Sequence, residues 1–313
     1  MIDVNKLLAG HKRMAARAIS MIEDEDEGKQ QLLAEIFPHT GNAFTVGITG
    51  SPGAGKSSLT DALTKQARQQ NLKVGIIAVD PTSPISGGAL LGDRIRMQEH
   101  ALDRGVFIRS MGTRGCLGGL ARATKDAVKV LDAFGCDVIF IETVGVGQSE
   151  LDIMHYADTT LVVLTPGAGD HVQTIKAGIM EIADIFVINK ADLGDTGKMV
   201  TDIEQMLDMG RHNNGWRPPI MKTITTQEKG LPELWDTILK YKEYTSSSGL
   251  QSENRRKKIQ REVIELLEEK IQSQLQTRLQ SNGNMTELVD KILAGNSDPY
   301  SAANKLLQKF LTI

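Results

Sequence analysis

Residues 44–59 read FTVGITGSPGAGKSSL, in which an apolar run leads into a glycine-rich turn that ends in a lysine followed by two serines. The run at 44–48 predicts a buried strand, and residues 59–67 have the pattern of a helix. Between them, residues 50–57 match the P-loop pattern, in which backbone N–H groups and a helix N-terminus surround phosphate oxygens. Because the motif requires this strand and this helix on its two sides, the segment indicates a nucleotide phosphate site.

The P-loop provides the first set of candidate site residues. Its glycines let the backbone N–H groups turn inward around the phosphates. We expect Lys56 to contact the β- and γ-phosphate oxygens, and the hydroxyl of Ser57 to bind magnesium. The nucleotide-binding residues predicted here are Gly50, Ser51, Pro52, Gly53, Ala54, Gly55, Lys56, Ser57 and Ser58.

Further apolar runs follow the P-loop, separated by segments long enough for helices. The runs are continuous rather than alternating, which is typical of parallel strands that are buried on both faces. The sequence therefore predicts an α/β fold with a doubly wound, mostly parallel sheet and right-handed crossovers. The runs lie at residues 74–79, 106–108, 138–141, 161–164 and 185–188, with a further strand near 220–224.

Three carboxylates in this region are candidate members of a magnesium site, and they are Asp80, Asp93 and Glu142. Asp80 closes the run at 74–79, so we expect it at the sheet edge where ligands bind such folds. Magnesium beside phosphates takes only one or two carboxylates, directly or through water. Some of the three therefore act through water, and Asp93 has the alternative of capping a helix that begins at Arg94.

The sequence ETVG at 142–145 follows a predicted strand, at the place where many GTPases carry Asp-x-x-Gly. We expect its carboxylate to hold a magnesium-bound water and the amide of Gly145 to sense a γ-phosphate. Val146 stands where a Ras-like enzyme has its glutamine, and Gln148 lies two residues further on. The group that positions the attacking water is therefore left open. The predicted catalytic residues are Lys56, Glu142 and Gly145.

A candidate base site, NKAD at 189–192, directly follows the run at 185–188. The carboxylate of Asp192 can accept hydrogen bonds from guanine N1–H and the 2-amino group, and adenine offers neither donor. We expect Lys190 to lie along the base ring and Asn189 to tie this loop to the P-loop. The predicted base pocket consists of Asn189, Lys190 and Asp192, with Thr225, Thr226 and Gln227 as its wall.

The P-loop domain is predicted to span residues 43–245, with a helical extension at 1–42 before it. In this extension, helical spacing of apolar residues predicts one helix that is capped by Asp3 and runs to Ile22. A second helix is predicted around residues 32–36, after an acidic turn.

The C-terminal part is predicted to be a helical arm at 250–313, which follows a flexible break at 245–249. It contains one long helix and two shorter ones. The stripe on the long helix must be buried, either against the P-loop domain or against a second copy of the chain, and we expect the second copy. The apolar residues of this stripe recur every four positions, at Ile259, Val263, Leu267, Ile271, Leu275 and Leu279.

Composition limits the classes of function. Of the 313 residues, 36 are Lys or Arg and 39 are Asp or Glu, so the formal net charge is −3. This balance argues against nucleic acid as a partner. No uncharged apolar run approaches the ~18 residues that a membrane helix needs, and the N-terminus lacks a secretory signal. Two cysteines, Cys116 and Cys136, cannot form a disulfide framework, which is typical of a protein from a reducing compartment. Taken together, these features lead us to expect a cytoplasmic protein that binds neither membrane nor nucleic acid.

Over nearly its full length the sequence resembles the MeaB/ArgK family of GTPases. The resemblance also covers the N-terminal segment at 7–23 and the helical C-terminal arm. Beyond the P-loop, it rests on VDPTSP at 79–84, LGD at 91–93, RG at 114–115, LGG at 117–119, ETVGVGQ at 142–148 and PGAGD at 166–170.

The resemblance implies a homodimeric, magnesium-dependent GTPase that binds GTP and GDP. Proteins of this family act as chaperones of adenosylcobalamin-dependent acyl-CoA mutases, chiefly methylmalonyl-CoA mutase. They gate delivery of the cofactor and protect or reactivate the mutase. The family's third switch loop matches residues 167–176, with Asp170 and Lys176 as the coupling residues. Whether the partner is a methylmalonyl-CoA or an isobutyryl-CoA mutase stays open.

Two other functions remain as alternatives. A nickel-inserting GTPase chaperone would resemble this domain, but it needs thiolate and imidazole ligands, and the six histidines form no tract. A kinase that serves basic amino-acid transport would need an acceptor site, which no residue identifies.

Overall fold

The computed structural model describes most of the chain, which divides into two compact units, Met1–Gln251 and Ser252–Ile313. The sheet and the P-loop lie in the first unit, and the described part of the second unit is helical. The described residues are 2–80, 100, 102–112, 117–143, 156–166, 179–209, 215–281 and 284–311.

A parallel sheet forms the centre of the first unit. Its strands are β1 (Phe44–Gly50), β2 (Val74–Asp80), β3 (Val106–Gly112), β4 (Val138–Glu142), β5 (Thr159–Leu164), β6 (Ile185–Ile188) and β7 (Ile220–Lys222). Over the described residues the order is β3-β2-β4-β1-β5-β6-β7, and every neighbouring pair is parallel. The predicted fold class is therefore confirmed, and each predicted run forms a strand.

Helices flank this sheet and make up the described part of the second unit. They are α1 (Val4–Leu8), α2 (Lys12–Glu23), α3 (Lys29–Ile36), α4 (Lys56–Gln69), α5 (Leu117–Ala133), α6 (Thr196–Met209), α7 (Leu231–Ser247), α8 (Leu250–Ser281), α9 (Asn284–Leu293) and α10 (Pro299–Leu311). None of the helices in the described ranges combines the length and the apolar character that crossing a membrane requires.

Alternate residues of each central strand pack against helices on opposite faces of the sheet. In β4, the side chains of Val138 and Phe140 lie in one core cluster with α4 and α7. Those of Ile139 and Ile141 lie in a second cluster with α2 and α5. Because both faces are covered, the strands are continuously apolar, as the sequence indicates. This double packing fixes the carboxyl ends of the strands, where the candidate site lies.

The N-terminal extension contains three helices rather than the two that the sequence predicts. Asp3 caps α1, and its carboxylate accepts a hydrogen bond from the backbone N–H of Lys6 at 3.1 Å. The helix then ends at Leu8 because Gly10 adopts a φ of +82°, a left-handed conformation that interrupts the helical pattern. The prediction of one helix running to Ile22 was therefore wrong.

The predicted break at 245–249 is also shorter than expected, because α7 continues through Ser247. Hydroxyl groups support its last turn: Thr245 Oγ1 donates to the carbonyl oxygen of Tyr241 at 3.1 Å. Ser248 Oγ donates to the carbonyl oxygen of Tyr244 at 2.6 Å. The helix ends before Gly249, whose φ is +76°. The domain boundaries given from sequence stay predictions.

Candidate functional site

The P-loop turns from β1 into α4 at the carboxyl edge of the sheet. Gly50 ends β1 with a φ of +134°, and a Cβ on it would lie 2.1 Å from the carbonyl oxygen of Val163 in β5. Gly55 has a φ of +88°, and its Cβ would lie 2.5 Å from Nδ2 of Asn189. Both positions therefore require glycine, which lets the loop approach β5 and the segment after β6.

Lys56 is the first residue of α4 and is only 5% exposed. Its Nζ donates to the carbonyl oxygens of Gly50 at 2.7 Å and Ser51 at 3.1 Å. The ammonium group therefore lies inside the turn, at the positive end of the α4 dipole. A buried cation at a helix N-terminus is suited to bind phosphate oxygens.

Glu142 ends β4, and the strand register places it beside Ile48 of β1 and Ala78 of β2. Its side chain is 5% exposed, and its Oε1 accepts a hydrogen bond from Ser57 Oγ at 2.5 Å. A buried carboxylate requires such donors because it has lost its hydration. The sheet thus brings together two predicted metal-site residues that lie 85 positions apart in sequence.

The donor set at this point fits a magnesium ion. Magnesium prefers hard oxygen ligands, and Ser57 and Glu142 present a hydroxyl and a carboxylate within hydrogen-bond distance of each other. Asp80 ends β2, the strand next to β4, so its backbone lies at the same edge of the sheet. These residues carry the oxygen atoms that such an ion would need.

Asn189 connects three segments of the candidate base site and is 1% exposed. Its Nδ2 donates to the carbonyl oxygen of Ala54 in the P-loop at 2.9 Å. Its Oδ1 accepts from the hydroxyls of Thr223 at 3.1 Å and Thr225 at 2.7 Å. The contact with the P-loop that the sequence predicts is present. The side chain therefore fixes the candidate base site at 189–192 relative to the P-loop at 50–57.

The neighbouring residues are more accessible. Lys190 has a φ of +55°, and its Nζ donates to the carbonyl oxygen of Gly53 at 2.8 Å. Asp192 is exposed, as are Thr226 and Gln227 in the short 3-10 turn Thr225–Gln227. A buried anchor with an exposed carboxylate beside it can present that carboxylate to a ligand. The roles of these residues in base recognition stay predictions.

Several predicted site residues lie outside the described part of the chain. The structure describes the backbone of Asp80, as the last residue of β2. The roles proposed for the others rest on the sequence alone. The residues outside the described ranges are Asp93, Gly145, Val146, Gln148, Asp170 and Lys176.

Two buried threonines at the site were not identified from the sequence. Thr223 contacts Asn189, and Thr60 Oγ1 lies 3.3 Å from Oε2 of Glu142. Thr60 stands four residues after Lys56, so helical spacing places it on the same face of α4 one turn further on. That spacing was a usable signal. Thr223 had no comparable signal, because its contact depends on the order of the strands.

The fold and the site together define a class of protein. A P-loop at the centre of a doubly wound parallel sheet is joined to a buried carboxylate on one side and to an Asn-Lys-x-Asp segment on the other. This arrangement is that of P-loop GTPases.

The chain belongs to the family described as methylmalonyl-CoA mutase-associated GTPase MeaB, whose sequence model matches residues 15–280. A protein of Pyrococcus abyssi is 51% identical over 316 residues, which cover 99% of this chain and 97% of that protein. The GTPase ArgK of Escherichia coli is 34% identical over 289 residues, which cover 90% of this chain and 86% of that protein. The solved structure of a protein named LAO/AO transport system kinase has a TM-score of 0.73 at 26% identity, and the match covers 99% of this chain and 96% of that one.

Proposed function

We propose that this chain binds GTP and hydrolyses it with magnesium bound beside the P-loop. Lys56 stabilises the charge on the β- and γ-phosphate oxygens in the transition state. Ser57 binds the magnesium ion, Glu142 holds it directly or through a bound water, and Asp80 and Asp93 are the other carboxylates of the set, of which some act through water. The ion, when bound, neutralises charge on the same phosphate oxygens. The observation that carries this proposal is the 2.5 Å contact between Ser57 Oγ and Glu142 Oε1.

The nucleotide base is proposed to be guanine. Asp192 accepts from the N1–H and the 2-amino group, and Lys190 lies along the ring. Support comes from Asn189, which holds this segment to the P-loop at Ala54 and to the proposed pocket wall at Thr225. A rigid connection of this kind allows the base and the phosphates to be bound with one fixed separation.

The partner is proposed to be an adenosylcobalamin-dependent acyl-CoA mutase. In this proposal the GTPase gates delivery of adenosylcobalamin to the mutase and protects or reactivates the enzyme. Membership of a family that is described as mutase-associated supports it. Methylmalonyl-CoA mutase is the first candidate and isobutyryl-CoA mutase the second. The loop at 167–176 couples the two proteins through Asp170 and Lys176, and Gly145 senses the γ-phosphate. We place the complex in the cytoplasm.

The C-terminal arm is proposed to form a homodimer. In α8 the side chains of Val263, Leu267 and Ile271 are 50%, 54% and 57% exposed within the single chain. Burial of such side chains between two copies contributes about 25 cal/mol per Å² of apolar area. The charges also favour a second, antiparallel copy, since a basic stretch at 255–261 is followed by an acidic stretch at 262–269.

Turnover measurements with GTP and ATP test the activity, each with and without magnesium. We expect magnesium-dependent release of phosphate from GTP and little release from ATP. Transfer of phosphate to an amino-acid or protein acceptor would instead favour a kinase function. A kinase function is the one that appears in the name of the similar LAO/AO transport system kinase. Binding of nickel with a stimulated GTPase would favour the metal-insertion alternative. Co-purification with methylmalonyl-CoA or isobutyryl-CoA mutase identifies the partner.

A further inference from the structure

We propose that Thr60 is a positioning residue for Glu142, and this inference rests on the proposed function. Thr60 lies in α4 and is fully buried, at 0% exposure. Its Oγ1 lies 3.3 Å from Oε2 of Glu142, whereas Ser57 donates to the other carboxylate oxygen, Oε1. One helix therefore presents a hydroxyl to each oxygen of the same carboxylate.

The hydroxyl of Thr60 lies within reach of two acceptors. Its Oγ1 also lies 3.0 Å from the carbonyl oxygen of Lys56, one turn earlier. A hydroxyl has one proton, so Thr60 donates either to this carbonyl or to Glu142 at any moment. The hydroxyl lies between the helix backbone and the end of β4, and it links the two elements that carry the proposed metal ligands.

Thr64 provides the comparison within the same helix. It is also 0% exposed, and its Oγ1 donates to the carbonyl oxygen of Thr60 at 2.7 Å. That bond is the usual one for a threonine inside a helix, and Thr64 has no described contact with Glu142. If the hydroxyl of Thr60 contacted only the helix backbone, Thr60 and Thr64 would make the same kind of contact. The contact with Oε2 is what distinguishes Thr60.

The consequence for the site concerns the orientation of the Glu142 carboxylate. A buried carboxylate keeps its plane better with each hydroxyl that contacts it, because every contact opposes rotation about its terminal bond. In the proposed site, magnesium is held by Ser57 and by this carboxylate, directly or through a bound water. Thr60 therefore maintains the approach of Glu142 to the ion without touching the ion or the nucleotide.

The test compares Thr60→Val with Thr64→Val, two substitutions that remove a buried hydroxyl and keep the β-branched shape. GDP binding is measured by titration calorimetry in EDTA and over a series of magnesium concentrations. Magnesium is expected to increase GDP affinity, and one magnesium concentration produces half of that increase. In Thr60→Val this concentration is expected to rise about 10-fold, because a hydrogen bond to a charged group is lost. GDP affinity in EDTA is expected to stay within about 2-fold. In Thr64→Val both quantities are expected to stay near those of the parent, and Thr60→Ser is expected to restore the parent response.

Three results would overturn the inference. They are an unchanged magnesium response in Thr60→Val, an equal loss in Thr64→Val, and failure of Thr60→Ser to restore the response. A parent chain whose GDP affinity ignores magnesium would overturn the proposed function as well, so the two failures are distinguishable. If the valine variants do not fold, the pair Thr60→Ala and Thr64→Ala gives the same comparison, because alanine favours the helix.

Discussion

The side-chain amide of Asn189 donates a hydrogen bond of 2.9 Å to the carbonyl oxygen of Ala54, a residue 135 positions earlier in the sequence. Ala54 lies in the P-loop, and Asn189 follows β6 directly. The same amide accepts hydrogen bonds from Thr223 and Thr225 through its oxygen. A single buried side chain therefore sets the distance between the segment proposed to bind phosphate and the segment proposed to bind the base.

The first prediction concerns base specificity at Asp192. Asp192→Asn replaces an acceptor of two hydrogen bonds by a group that carries donors. The affinity for GTP should therefore fall about 10- to 100-fold, and the affinity for xanthine nucleotides should increase. Asp195→Asn is the control, because Asp195 is exposed in the same loop and caps the N–H of Gly197. The measurement is titration calorimetry with GDP, XDP and ADP. Equal affinity of the parent for GDP and ADP would contradict the prediction.

The second prediction concerns Lys56. Lys56→Ala removes the buried ammonium group beside Gly50 and Ser51, and GTP turnover should fall at least about 100-fold because that charge stabilises the transition state. Lys198→Ala is the matched control, since Lys198 is an exposed lysine in the first turn of α6. Phosphate release from GTP measures the effect. Turnover of Lys56→Ala near the parent rate would exclude the P-loop as the reaction site.

The third prediction concerns the pH dependence of stability at the pair formed by His100 and Asp61 of α4. His100 Nε2 lies 3.2 Å from Asp61 Oδ1 and 3.3 Å from the carbonyl oxygen of Asp61, and interaction with the Asp61 carboxylate raises the pKa of His100 although burial opposes the shift. For Asp61, burial acts to raise the pKa. The ion pairs of Asp61 with His100 and Lys65 outweigh burial and hold that pKa below its ordinary value.

The directions of the two pKa shifts define the pH range in which the pair of His100 and Asp61 stabilises the fold. A raised His100 pKa means that stabilisation is complete below the ordinary value of 6.5 and is lost as pH rises through the pKa of the folded state. A lowered Asp61 pKa means that the stabilisation is lost only as pH falls below the ordinary value of 3.8. His100→Gln should therefore lower the free energy of unfolding more at about pH 5.5 than at about pH 9. The exposed His39→Gln is the control, and an equal loss at both pH values would contradict the prediction.

The fourth prediction concerns the proposed dimer. Leu267 is 54% exposed on the stripe of α8, so Leu267→Glu places a charge in the proposed interface. The dissociation constant of the dimer should rise at least about 10-fold. Glu268→Gln is the control at the adjacent exposed position. Truncation after Gly249 should give a monomer that still binds nucleotide. Sedimentation measures both effects, and a parent chain that is monomeric at micromolar concentration would refute the dimer.

The strands could be predicted because burial on both faces leaves a continuous apolar run in the sequence. The run at 138–141 and the β4 strand Val138–Glu142 agree for this reason. Helix ends were predicted less well, since they depend on single backbone positions. Gly10 ends α1 within a pattern that is otherwise helical, and Thr245 continues α7 through a serine-rich stretch. Neither outcome follows from the spacing of apolar residues.

The site was predictable where a local motif carries it, as in the P-loop. The contact between Ser57 and Glu142 requires β1 and β4 to be neighbours, which the order of the strands along the chain does not give. The contact between Asn189 and Thr223 similarly depends on the pairing of β6 with β7. Sequence motifs therefore identified the chemical groups, and the order of the sheet decides which of them meet.

The proposed coupling of GTP turnover to an adenosylcobalamin-dependent mutase can be measured with the mutase present. GTP turnover is followed without a mutase, with saturating methylmalonyl-CoA mutase and with saturating isobutyryl-CoA mutase, for the parent, Asp170→Ala and Lys176→Ala. We expect the mutase to stimulate the parent, and we expect both variants to keep GTP affinity within about 3-fold and to lose the stimulation. A parent that neither acyl-CoA mutase stimulates, or equal stimulation of all three proteins, would contradict this coupling.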